Sequence, residues 1–125
     1  MKRNCFCGST QSFEACCAPY ISGANHAPTA ETLMRSRYSA YATHAIDYLI
    51  RTTHSSERLY LSKNDIMQWA TTNTWQKLEI LVATSTTVNF KAYFMDQNRV
   101  PQIHHELSAF VIEDGLWYYV DGSFF

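Results

Sequence analysis

Beyond residue 17 the chain has no cysteine, and in its whole length it has only three prolines and four glycines. A body without cysteine cannot be stapled by disulfides and must fold on an apolar core. Few breakers leave room for long uninterrupted elements. No run approaches the roughly 18–20 apolar residues that cross a membrane as a helix. Charge of one sign is also missing. The net charge is −1, with six Lys/Arg against four acids in residues 1–60 and four against seven in residues 61–125. That balance excludes a global basic signature for nucleic acid. There is no Gly-rich phosphate loop, no Ser-His-Asp order and no HExxH. Repeats and low-complexity tracts are absent too.

Apolar residues make up 46% and charged residues 17% of the chain, enough for a real core in one domain with room for a small appendage. Eight Tyr, seven Phe and three Trp favour a sheet with a thick aromatic face or a lined cavity. Met1-Lys2-Arg3-Asn4 resembles the basic start of an export signal, but Cys5–Gln11 is no apolar segment to follow it. The expected location is therefore cytoplasmic.

All four cysteines, Cys5, Cys7, Cys16 and Cys17, fall in the first 17 residues. In a reducing compartment such a cluster reads as a metal site before it reads as disulfides or a redox pair. Four thiolates give zinc a closed tetrahedron, and iron suits the same sulfur environment. Gly8 can take the positive φ that a tight ligand loop needs.

Residues 1–22 have few long apolar side chains and form a candidate metal-binding unit. A linker of small and turn-forming residues, Ser22–Pro28, follows. Residues 28–125 form the candidate body, expected to fold without the metal. Thr29 is a candidate N-cap with Glu31 in the first turn. Ala30, Met34, Arg37/Tyr38, Tyr41, Ala45 and Tyr48/Leu49 recur at helical spacing, which predicts one long helix over 29–52. Ser55/Ser56 are expected to cap a short turn, and Ser62–Asp65 a second helix over Asp65–Thr71.

From Trp75 the period changes to two. Leu78, Ile80 and Val82 form one alternating set, and Val88, Phe90, Ala92 and Phe94 another. Ile103–Glu113 and Leu116–Asp121 read as two further strands around an Asp114-Gly115 hairpin. Helices first and an antiparallel meander afterwards give an α+β class.

In such a fold the polar candidates are His104, His105 and Glu106 on the third strand, and Arg35 and Arg37 on the helix beside Tyr38 and Tyr41. Strand alternation puts His104 and Glu106 on one face and His105 on the other. Arg37 is expected to tie a buried carboxylate, with Asp47, Glu106 and Asp121 as partners, or else to bind an anionic ligand. Arg37, Tyr41, His105 and Glu106 form the candidate ligand-binding set. His26 is a further candidate metal ligand.

Cys5-Phe6-Cys7-Gly8-Ser9 with Cys16-Cys17 resembles the SEC-C motif, the metal-binding tail of the SecA translocation ATPase. Thr29–Tyr41 (TAETLMRSRYSAY) is similar to the hallmark block of the YchJ family. Trp75–Leu78, His105-Glu106 with Ser108 and Phe110, and Trp117–Gly122 resemble its later blocks. Phe6 replaces the usual Pro, Thr10 replaces a Gly, and Ala109 stands where a basic residue is usual. The resemblance implies a SEC-C loop followed by helices on a curved four-stranded antiparallel sheet, the cone of nuclear transport factor 2-like and cystatin-like folds. It implies no established activity. The expected function is a zinc-binding adaptor. By resemblance to the SecA tail, its partners would be export chaperones, ribosomes or anionic lipid. A small enzyme or small-ligand binder using the cone, and a thiol or metal redox sensor, are the alternatives.

Overall fold

The computed structural model describes residues 4–125; the basic Met1-Lys2-Arg3 segment lies outside them. A short 3₁₀ turn (Phe13–Ala15) and α1 (Ala18–Ile21) follow the first cysteines. Then come α2 (Ala30–Thr43), α3 (Ile46–Arg51), α4 (Ser55–Arg58) and α5 (Lys63–Thr72). Four strands complete the chain: β1 (Thr74–Ala83), β2 (Thr87–Met95), β3 (Pro101–Glu113) and β4 (Leu116–Phe124). They form one antiparallel sheet in the order β1-β2-β3-β4, and the helices cover one face. No helix among the described residues is long and apolar enough to cross a membrane.

The caps are where the residues call for them. The Thr29 side chain accepts from Thr32 N at 3.1 Å, and Ser62 accepts from Asp65 N at 3.2 Å. α5 begins two residues before the expected Asp65, because Ser62 itself is the N-cap.

The expected 29–52 helix is two helices. It breaks at His44, whose φ of 63° is left-handed. Ala45 N donates to Ala40 O at 2.7 Å and His44 N to Tyr41 O at 3.3 Å, the two bonds of a Schellman termination. A glycine normally marks that position, and here a histidine holds it, so the sequence carries no stop signal. The break lets α3 fold back against α2.

β2 alternates cleanly, burying Val88, Phe90, Ala92 and Phe94 under the helices. β1 does not. Its register shifts between Trp75 and Lys77 and again between Ile80 and Val82, so Val82 leaves the inner set and is exposed. On β3, Glu106, Ser108 and Phe110 face inward. Beyond α3 the backbone extends the sheet: Tyr119 N donates to Thr52 O and His54 N to Tyr119 O, both at 2.8 Å. This covers the middle of β4's otherwise open edge.

The break at His44 is testable. His44→Gly removes the steric cost of the left-handed turn and should stabilise the protein by about 0.5–1 kcal/mol, whereas His44→Val should destabilise it. Urea unfolding of the two variants measures this, and a less stable glycine variant would contradict the termination described.

Candidate metal centre and cone cavity

The cysteine loop is a compact knot. Asn4 bridges to Ser12, Cys5 N donates to Gln11 O at 2.7 Å, and Gly8 takes a φ of 92° at the turn after Cys7. Cys16 and Cys17 then return from the 3₁₀ turn into α1. The four Sγ atoms lie within 4.8 Å of one another, with Cys7–Cys16 at 3.7 Å and Cys16–Cys17 at 3.9 Å. A zinc–sulfur bond of about 2.3 Å requires sulfur–sulfur edges of roughly 3.8 Å in a tetrahedron, so the donor set fits a tetrahedral ion. All four cysteines are free thiols. His26 is not part of this cluster and lines a separate surface cavity with Tyr20 and Trp117.

The thiols are electrostatically uneven without a cation. The hydrogen bond from Cys17, aided by the Ser9 backbone N–H, pulls Cys7 down to about 4. The same bond to Cys7, together with burial, pushes Cys17 up, and burial raises Cys16. One thiolate forms readily and its neighbours resist. A bound cation would favour the thiolate form at all four positions.

The loop shares the main core. Cys5, Cys7 and Cys17 belong to the same buried cluster as Leu33, Tyr38 and Leu49. Arg35 pairs with Glu31 at 2.9 Å and donates to Cys7 O at 2.8 Å, so a helix side chain holds the ligand loop. The Cys5 thiol contacts Ser39 Oγ at 3.6 Å. The sequence places Arg35 among the polar candidates but carries no sign of this tether, which joins residues 28 positions apart.

The second site is the cone. Between α2, α5 and the sheet lies a cavity of about 220 Å³, lined chiefly by aromatic rings, with Arg37, His104, Glu106, Ser108 and Tyr119 among its walls. Glu106 is its polar centre. His104 Nε2 donates to Oε1 at 2.7 Å; Ser108 and Tyr119 donate to Oε2 at 2.6 and 2.9 Å. Burial alone would raise this carboxyl, but the three donors, His104 foremost, hold it below the usual range. It is therefore a carboxylate that can only accept, which assigns the shared proton to His104 Nε2. Burial and the Glu106 charge push Tyr119 up. Gly122 makes this possible, because a Cβ there would overlap the Glu106 carboxyl group.

Arg37 crosses from α2 to the end of α3. Nη1 donates to Leu49 O at 2.9 Å, to Thr52 Oγ1 at 2.8 Å and to Thr53 Oγ1 at 3.3 Å, and the guanidinium lies 4.5 Å over the Tyr119 ring. No ion pair forms between Arg37 and any described carboxylate, which corrects the expected internal salt bridge. Asp47 pairs with Lys63, Glu106 is occupied by neutral donors and His104, and Asp121 is exposed. The negative end of α3 takes the arginine instead.

Of the four candidate ligand-binding residues, Arg37, Tyr41 and Glu106 line this one cavity. His105 does not. It lies on the other face of β3, hydrogen-bonded to Asn89 at 2.8 Å and in tilted ring contact with Phe125. His104 takes the place expected of it, as strand alternation from Glu106 requires. Ser108, Tyr119 and Gly122 were not singled out for this site. Their roles depend on β3–β4 pairing, which puts Ser108 opposite Gly122.

Comparison with known proteins agrees with this architecture. Residues 29–122 match the family model described as YchJ, middle NTF2-like domain. A UPF0225 protein of Geobacter sulfurreducens is 40% identical over 129 residues, covering 98% of this chain and 80% of that protein. One from Photorhabdus laumondii is also 40% identical, covering 98% and 81%. Among solved structures, a SEC-C motif containing protein from Rhodopseudomonas palustris superposes with a TM-score of 0.89 at 34% identity, covering 97% of this chain and 98% of that one. Another from Psychrobacter arcticus gives 0.83 at 32% identity, covering 95% and 81%. With a cysteine cluster in the SEC-C position and an α+β cone behind it, the chain belongs to the YchJ family.

Proposed function

We propose that this protein is a zinc-binding cytoplasmic adaptor, in which the metal shapes the SEC-C loop as a module for docking another protein. The observation that carries the reading is the convergence of four sulfurs within 4.8 Å of one another. Cys5, Cys7, Cys16 and Cys17 would hold the ion, which would supply cross-linking rather than chemistry. A set of four thiolates leaves no open position for a substrate. Iron suits the same donors, and zinc is the default for a closed thiolate site.

The docking surface would surround Phe6. This residue is 46% exposed, braced edge-on by Phe13 at 5.4 Å, and flanks a groove between the loop and β1. Glu14 and Lys77 give the groove a charge of each sign. An exposed aromatic on a rigid loop suits an anchor in a protein interface. By resemblance to the SecA tail, the partner would be an export chaperone or the ribosome. The sensor reading has less support, since only Cys16 is more than marginally exposed to an oxidant.

Three measurements test this reading. Elemental analysis of protein purified under reducing conditions should find about one zinc or iron per chain; less than roughly a tenth would overturn the metal assignment.

Cys17→Ser should lower the main unfolding transition by about 1–3 kcal/mol, because the loop shares the core. Disorder confined to the first 20 or so residues, with an unchanged melting curve, would show instead that the body is indifferent to the loop.

Capture of purified ribosomes or export chaperone should be lost in Phe6→Glu and in Cys5→Ser/Cys7→Ser. His105→Ala should retain capture within a few-fold, because it alters the far face of β3. Normal capture by the loop variants would end the adaptor reading.

A further inference from the structure

The two buried charges of the cone are unequally satisfied. Glu106 receives three donors, one of them a histidine N–H. Arg37 is only 6% exposed, and its hydrogen-bond partners are one carbonyl and two hydroxyls, all on Nη1. Among the described residues no acceptor bonds its Nε or Nη2. No side-chain nitrogen or oxygen there is both fully buried and unpartnered. Nε and Nη2 are therefore not fully enclosed by protein, and Arg37 forms part of the cavity wall. Tyr38 and Tyr41 line the same cavity, and among the described residues their hydroxyls have no hydrogen-bond partner. Uncommitted donors thus converge on a space walled by Trp69, Trp75, Phe90 and Phe124.

From this arrangement we infer that the cone is a binding site for a small monocarboxylate with a flat, apolar body. A desolvated guanidinium whose hydrogen-bond partners are all neutral favours an anion, and its planar fork matches a carboxylate. The aromatic walls favour a ring face or edge over a branched aliphatic chain. About 220 Å³ accommodates one or two fused rings and little more. Glu106 sets the upper limit on charge. It contributes a negative charge to the same cavity, so a dianion such as a phosphate monoester is disfavoured. Trp69, His104 and Phe124, all part-exposed, form the rim through which the ligand enters. The site uses no residue of the cysteine loop and stands apart from the adaptor reading.

Three probes of one shape and different charge test the inference: benzoate, benzamide and benzamidine. Each is titrated into the full chain labelled with ¹⁵N, and the indole N–H signals of Trp69 and Trp75 and the Arg37 Nε–H are followed. Benzoate should bind saturably and shift all three signals. Benzamide should bind roughly tenfold more weakly, since it loses the charge-assisted bonds, and benzamidine should not bind. Arg37→Met should weaken benzoate by roughly tenfold or more. Ala92→Leu fills the cavity without touching Arg37 and should abolish binding. Equal binding of benzoate and benzamide, preference for benzamidine, or no saturable shift with benzoate would each overturn the inference. So would a folded Arg37→Met that keeps wild-type affinity. If that variant does not fold, the ligand series and Ala92→Leu decide the question.

Discussion

Arg37 carries a positive charge into the interior where no carboxylate among the described residues meets it. Burying an ion this way costs several kcal/mol unless other polar groups replace the lost water. Here the replacements come from three places in the chain. Leu49 O belongs to α3, the Thr52 and Thr53 hydroxyls to the segment beyond it, and the ring beneath the guanidinium to Tyr119 of β4. The arginine is satisfied only if α2, α3 and β4 all arrive together. The backbone bonds between Thr52, His54 and Tyr119 sit at this same junction, so the segment that solvates the charge is also the one that pairs with β4. The helix break at His44 is a precondition, since a continuous helix would carry Leu49 away from Arg37.

The same helix supports both sites from opposite flanks. Arg35 and Ser39 reach the cysteine loop, while Arg37, Tyr38 and Tyr41 line the cone. A ligand set that close in sequence would ordinarily form an independent unit. Its thiols are instead buried in the common core, and the backbone at Cys7 is held by a helix side chain. The packing of the candidate metal loop and that of α2 are thereby connected through named contacts.

Glu106 shows how a charge is kept in the cone. Its carboxylate survives burial because three donors surround it, and Gly122 on the adjoining strand leaves the space it occupies. Phe124 and Tyr119 of the same strand complete the surroundings, so β4 supplies the room, one of the donors and part of the rim. Each requirement falls on a different residue of one strand.

Much was written in the residue order itself. The cysteine cluster, the Thr29 and Ser62 caps, the shift from helical to strand periodicity at Trp75 and the antiparallel meander are local patterns, and local patterns are legible because each depends on neighbours a few residues away. The four ligand candidates follow from clustering alone. What the sequence could not determine depended on distant partners. No glycine announced the turn at His44. The partners of Arg37 could not be told from spacing, because a carbonyl at a helix end leaves no side-chain signature. His104 and not His105 faces the cavity, a matter of strand parity that became decisive only when the helices covered one face. The tether from Arg35 to Cys7 and the space left by Gly122 exist only after the loop meets α2 and β4 meets β3. Tertiary packing decided these points, since buried charges and carbonyls accept whichever partner the folded chain brings within reach.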